Sequence, residues 1–176
     1  MIASTQTTMN TREISQTLTT LFSELVQGAN NPGGAYILNT GDAGLLRSLD
    51  KLSGADASRS SHGGATIAAH ARHLVYGLSL MNRWARDGGN PFADAKWDEA
   101  WKTSTVDDEE WKAIRRELAS ETRAWLEQLG KPREAGPVEV NGMVGSIAHL
   151  AYHLGAIRQI DRNARGPKEG TFPTTA

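Results

Sequence analysis

Four helical patterns separated by turn-rich connections constrain the fold of this chain more than any other feature. Apolar residues recur at helical spacing in segments that we place at residues 11–27, 64–86, 105–129 and 142–165. The first pattern stops at Gly28, and glycine is common directly after a helix. The sequence therefore predicts an all-α protein in which the apolar faces of four main helices pack together.

The connections between these helices carry weaker signals. The stretch from residue 29 to residue 64 is rich in Gly, Asn, Ser and Pro, and we predict one short helix in its segment DAGLLRSLDKLSG. Before the third helix, TVDDEEW offers Thr105 as a cap and carboxylates in the first turn. The segment REAGPVEVN before the fourth helix is expected to hold a short extended piece.

Length and composition narrow the class of protein. A chain of 176 residues suits one domain spanning residues 1–176. The net charge is −1 without long runs of either sign, so neither nucleic acid nor an anionic membrane is an expected partner. The sequence MIASTQTTMNTREISQ lacks the regions of a signal peptide, and we expect a cytoplasmic protein that does not span a membrane. Because there is no cysteine, any thiol chemistry must use an external thiol.

Three histidines form a candidate metal site. His149 and His153 lie four residues apart in GSIAHLAYHLGAIRQI, so their imidazoles share one face of the last helix. His73, in ATIAAHARHLVYGL, can bring a third imidazole from the second helix. A single buried histidine is usually a hydrogen-bonded core residue, but two imidazoles on one buried face are costly without a shared partner. The pattern alone leaves two interpretations open: hydrogen-bonded core histidines, or a divalent ion bound by all three with one coordination position open.

Other residues near these histidines are candidates for supporting roles. His70 lies one turn before His73 on the second helix. Three roles are open to it: a fourth ligand, a hydrogen-bond donor to a ligand, or part of the pocket wall. We favour the last two roles. Tyr76, Tyr152 and Trp84 are predicted to contact the ligand side chains or to line a pocket, with simple packing as the alternative. His62 is predicted to be a loop histidine.

The fourth helix is apolar over two sectors. One sector groups Gly142, Gly145 and Ser146 with the histidine pair, and the other contains Ile147 and Leu150. A helix that is apolar on two sides must be covered twice. We expect one side to face the protein interior and the other to meet a second subunit.

The histidine motifs resemble those of the DinB/YfiT-like family of metal-binding four-helix proteins. In that family the last histidine of a TxxxxxxH stretch joins an HxxxH pair, and here Thr66 with His73 matches the first motif and His149 with His153 the second. The match runs in order from the first helix to about Arg165. The resemblance implies a four-helix bundle of up-down-down-up topology, a divalent ion such as Zn²⁺ or Ni²⁺, and a homodimer.

The resemblance also implies an activity. Characterised relatives include S-transferases that use bacillithiol or mycothiol and a thiol-dependent maleylpyruvate isomerase, while many members have no known reaction. We expect a metal-dependent transferase that joins a low-molecular-weight thiol to an electrophilic small molecule. The alternatives are a non-catalytic metal- or ligand-binding stress-response protein and a purely structural dimer. No carboxylate accompanies the three histidines, and His70 is an addition to the motif.

Overall fold

The computed structural model describes residues 8–29 and 34–168, and this part of the chain is mostly helical. The predicted all-α class is confirmed. The helices are α1 (Arg12–Gln27), α2 (Gly44–Asp50), α3 (Gly54–Ala57), α4 (Ile67–Asp87), α5 (Asp108–Leu129) and α6 (Pro137–Ile160). Two 3₁₀ turns lie at Glu99–Trp101 and Arg162–Ala164, and two short strands, β1 (Met9–Asn10) and β2 (Glu134–Ala135), form an antiparallel pair. Helix α2 is the short helix predicted in the first long connection.

The four long helices enclose one apolar core. Helix α4 packs against α5 and α6, and α1 packs against the same two helices. All four supply fully buried large side chains, among them Phe22, Leu74, Trp125 and Leu150. The contact between α4 and α6 brings together the two helices that carry the predicted metal ligands.

Local interactions explain where α4 and α5 begin and where α1 ends. The Thr66 hydroxyl accepts a hydrogen bond from the backbone N–H of Ala69, which caps α4. Helix α5 begins three residues after Thr105, because Asp107 and Glu110 form a capping box. Helix α1 stops at Gly28, where φ is 105° and an added Cβ would lie 2.3 Å from the Asp42 carbonyl oxygen. Only glycine fits there.

The predicted bounds of the fourth helix are wrong by five residues at each end. Helix α6 begins at Pro137 and not at Gly142, because proline at the first helical position has a suitable φ and needs no N–H partner. It ends at Ile160 and not at Arg165, since Asp161 is extended and its side chain caps the following 3₁₀ turn. The predicted extended piece is confirmed as β2.

Buried carboxylates hold the long connection between α1 and α4. The Glu24 carboxylate, fully buried on α1, accepts hydrogen bonds of 2.6–3.1 Å from the backbone N–H groups of residues 36, 37 and 38. The Asp42 carboxylate accepts one from Arg158 on α6 at 2.6 Å. These hydrogen bonds therefore attach the connection to α1 and to α6.

Helix α6 buries the sector that contains Ile147 and Leu150, while its exposed apolar residues lie outside both sectors predicted from the sequence. Ile147, Leu150 and Leu154 are buried in the core. On the other side Val144 is 52% exposed and Tyr152 is 69% exposed. Among the described residues, no helix combines the length and the apolar character needed to cross a bilayer.

Candidate metal centre

Three imidazoles from α4 and α6 converge on one point. The Nε2 atom of His149 lies 3.0 Å from Nε2 of His73 and 2.9 Å from Nε2 of His153. One ligand atom from each residue lies within 4.8 Å of the other two, so the cluster can hold a metal ion. These are the three residues predicted from the sequence, and the structure brings all of them together.

The spacing of the nitrogens fits a small divalent ion. Tetrahedral coordination at about 2.0–2.1 Å from each nitrogen separates the ligand nitrogens by about 3.3–3.4 Å. The Nε2 atoms are 2.9–3.0 Å apart along two sides of the triangle. Small side-chain rotations that move the Nε2 atoms apart by a few tenths of an ångström would give the separation that the ion requires. Three imidazole nitrogens suit Zn²⁺ and Ni²⁺ better than Mg²⁺ or Ca²⁺, which prefer oxygen ligands.

Burial keeps these imidazoles neutral, with their lone pairs available to a metal. Desolvation, followed by repulsion from His149 and His70, lowers the pKa of His73 to about 4. The same causes, with His73 added, lower the pKa of His153 to about 3. Desolvation also lowers the pKa of His149. Near neutral pH none of the three ligands therefore needs to lose a proton before it binds an ion.

His70 lies behind one ligand and does not join the triangle. Its Nδ1 is 2.8 Å from Nδ1 of His153, and both side chains are buried. One of these two nitrogens must carry the hydrogen. If His153 presents the Nε2 lone pair to an ion, its Nδ1–H donates to His70 Nδ1. Such a contact fixes the tautomer and the ring orientation of a ligand, which matches the supporting role favoured from the sequence.

His73 is held by ring stacking. Its Nδ1 is buried and has no hydrogen-bond partner among the described residues. The Trp101 ring stacks on the imidazole, with centroids 4.2 Å apart and planes inclined by 24°. Trp101 also approaches His70 and His153, at centroid distances of 5.5 and 5.7 Å. It therefore covers one side of the histidine cluster.

Sequence reasoning missed this role of Trp101. The only available signal was the spacing in KWDEAWK, where Trp97 and Trp101 lie four residues apart after the helix that carries His73. Trp97 is also close to His73, with ring centroids 5.4 Å apart. The two indoles thus border the cluster from the same loop.

The predicted supporting aromatic residues differ in their positions. The Tyr76 hydroxyl accepts a hydrogen bond from the Lys96 backbone N–H at 2.7 Å, so it anchors the loop that carries the indoles. Tyr152 is largely exposed, and its ring meets the His153 ring edge to face at 5.0 Å. The prediction for Trp84 needs correction, because this side chain lies in the core against Trp125 and does not line the cavity beside the histidines. Trp84 is 11 residues, about three helical turns, beyond His73.

His62 is an exposed residue of the loop before α4, as predicted. Its φ is 52°, and its Nδ1 lies 2.8 Å from the Ser61 hydroxyl. It takes no part in the cluster, since the grouped metal-ligand candidates among the described residues are the three histidines of α4 and α6. His62 therefore serves as a matched control for histidine substitutions at the site.

A cavity of about 570 Å³ opens beside the cluster between α4 and α6. His73 and His149 form part of its wall. Gly77, Gly142 and Gly145 also line it, and the absence of side chains at these positions leaves the space open. The sequence grouped the last two glycines with the histidine pair of α6. The arrangement therefore joins three metal-ligand candidates to a space that can hold a small molecule.

Comparison with protein-family models, curated proteins and solved structures found no match to this chain. The resemblance to DinB/YfiT-like proteins accordingly depends on Thr66 and the three histidines. Thr66 is nearly buried and caps α4, so its position sets the start of the helix two turns before His73. The threonine of the motif is explained by its role as the cap of α4, whereas the three histidines are the residues that could bind a metal ion.

Proposed function

We propose that this protein is a metal-dependent transferase that joins a low-molecular-weight thiol to an electrophilic small molecule. The observation that carries the proposal is the convergence of three neutral imidazoles beside a cavity of about 570 Å³. Three protein ligands on a four-coordinate ion leave one position for a thiol or water, which is typical of reactive sites and not of structural ones. Zn²⁺ is the first candidate for the ion and Ni²⁺ the second.

We also propose the architecture that the DinB/YfiT-like resemblance implies. The pairing of α1 and α4 with both α5 and α6 supports a four-helix bundle, for which we infer the up-down-down-up course. The exposed apolar side of α6 supports a homodimer. Light scattering at micromolar concentration should give twice the 19.0 kDa mass of one chain. Particles of 19.0 kDa alone would rule out the dimer.

The residues of the site have distinct tasks in this reaction. His73, His149 and His153 would hold the ion, and neutral imidazoles leave its positive charge intact. A bound divalent ion lowers the pKa of a thiol or water, which provides a nucleophile near neutral pH. His70 orients His153 through the 2.8 Å contact between their Nδ1 atoms, and Trp101 shields one side of the cluster from water.

The transfer step requires two external reactants. The chain contains no cysteine, so the attacking sulfur belongs to the small thiol. Its thiol proton passes to solvent, and the sulfur forms a bond to the electrophilic carbon while the leaving group departs with its electron pair. The cavity wall formed by α4 and α6 positions the electrophile beside His149.

A rate screen tests this function. Bacillithiol, mycothiol and simpler thiols are mixed with alkylating electrophiles, with the metal-loaded protein and with protein treated with a chelator. We expect a metal-dependent rate that is lost in His149→Ala and unchanged in His62→Ala. An apparent pKa well below the value of about 8.5 for a free thiol is expected in the rate profile. No metal-dependent rate above background would contradict the proposal.

The second candidate is a non-catalytic protein that binds a metal or a small ligand. The composition of the cavity wall favours it. Among the described residues that line the cavity, only the histidines are suited to general acid or base catalysis, and these are the candidate metal ligands. This candidate predicts metal and ligand binding without turnover. The rate screen therefore distinguishes the two functions.

A further inference from the structure

The cavity beside the histidines has an apolar wall. Six hydrophobic side chains line it together with Trp97: Leu74, Leu78, Met81, Phe92, Val138 and Leu150. No Asp, Glu, Lys or Arg lies among the described residues that line it. A ligand that carries a charge in this space would lose its water shell without gaining a side-chain counterion, which is costly.

The few polar groups lie at the ends of the cavity or are already engaged. His73 and His149 mark one end. The Ser146 hydroxyl accepts a hydrogen bond from the Trp125 indole N–H at 2.9 Å and donates one to the Met143 carbonyl at 2.7 Å. The exposed Asn141 carboxamide makes no hydrogen bond to the described residues, so it remains available to a ligand.

The dimensions of the cavity limit the size of its ligand. Asn141 and His149 lie eight residues apart on α6, which corresponds to about 12 Å along the helix axis. The volume of about 570 Å³ is within the usual range of small-molecule sites. A compound with two aromatic rings fits this length and volume.

We propose that this cavity takes an uncharged, largely apolar substrate of about two aromatic rings. Its electrophilic carbon lies at the histidine end, and a hydrogen-bonding substituent lies at the Asn141 end. The word substrate rests on the proposed transferase function, whereas the selectivity of the cavity for neutral apolar molecules does not. Small dicarboxylates are poor ligands because no lysine or arginine among the described residues lines the space.

Two dyes with one skeleton test the selectivity. N-phenyl-1-naphthylamine is neutral, and 8-anilino-1-naphthalenesulfonate carries a sulfonate on the same two-ring framework; both become fluorescent in apolar surroundings. Binding is measured on full-length protein from which metal has been removed by a chelator, so that the charge of an ion does not attract the sulfonate. We expect the neutral dye to bind about tenfold more tightly or better.

A pair of glycine substitutions locates the bound dye. Gly145 lines the cavity, and an added Cβ would meet no atom within 4 Å, so Gly145→Leu should fill the space without a clash with the backbone. Gly155 is also exposed on α6 with no atom within 4 Å of an added Cβ, but it does not line the cavity. Because both changes replace a helical glycine, their effects on helix propensity match. Gly145→Leu should weaken binding of the neutral dye more than tenfold, and Gly155→Leu should leave it unchanged.

Each result decides a separate statement. Equal affinity for the two dyes, no binding of the neutral dye, or full binding by Gly145→Leu would overturn the assignment of the cavity. Affinity that falls as protein concentration rises would show that a second copy of the chain fills the space, which also overturns it. If the dye binds selectively but the rate screen gives no turnover, the transferase function fails and the cavity assignment stands. If turnover is as efficient with anionic electrophiles, the cavity assignment fails and the function stands.

Discussion

The contact between His70 and His153 gives the sharpest prediction about the metal centre. In His70→Ala the buried Nδ1–H of His153 loses its acceptor at 2.8 Å, and the ligand ring is free to turn. Loss of such an outer contact typically weakens metal affinity 10–100-fold, which corresponds to about 1.4–2.7 kcal/mol. Titration with Zn²⁺ against a chromophoric chelator measures the dissociation constant directly. At saturating metal the variant should still bind one ion, with reduced turnover.

A second substitution at the same position separates orientation from packing. In His70→Asn the side-chain oxygen can accept the hydrogen bond that Nδ1 accepts in His70, so affinity should recover in part. If His70→Ala binds zinc as tightly as the wild type, the contact does not orient the ligand. If the variant loses zinc as completely as His153→Ala, His70 is itself a ligand and the proposed arrangement is wrong.

Three further predictions concern stability. His153→Ala should remove the metal and lower the melting temperature more than His62→Ala, because a bound ion adds about 2.7 kcal/mol when free metal is a hundredfold above Kd; equal melting shifts on chelation in wild type and His153→Ala would contradict this. The pKa values of His73 and His153, about 4 and about 3, lie below the value of 6.5 in unfolded chains, so the unfolded chain binds protons first as the pH falls. The free energy of unfolding of metal-free protein, measured in urea, should therefore fall below pH 6.5 by up to about 1.4 kcal/mol per pH unit for each histidine. A free energy that does not change with pH would refute this prediction. Glu24→Ala removes the acceptor for three backbone N–H groups and should cost at least about 2 kcal/mol, whereas the exposed Glu13→Ala on the same helix should cost far less, also measured by urea unfolding.

The histidine cluster was predictable because its geometry is largely local. The four-residue spacing of His149 and His153 fixes two ligands on one helical face whatever the rest of the fold does. The third ligand required only that His73 lie on the core side of its own helix, which the apolar pattern around it indicates. Gly28 was predictable as a helix end for an equally local reason, since its backbone conformation favours glycine.

The features that the sequence did not predict depend on contacts between distant segments. Trp101 stacks on His73 because a loop folds back over α4, and no periodic pattern specifies the path of a loop. The contact between His70 and His153 depends on how α4 and α6 lie against each other. At Pro137 a local rule was available, because proline suits the first position of a helix, but the prediction placed this residue in the connection before the fourth helix.

The most direct test of the metal centre is a crystal structure of the protein grown with zinc, with anomalous data collected at the zinc absorption edge. We predict one strong anomalous peak at about 2.0–2.1 Å from the Nε2 atoms of His73, His149 and His153, with His70 outside the coordination shell. A peak bound by other residues, or three imidazoles that point apart with no peak between them, would contradict the account.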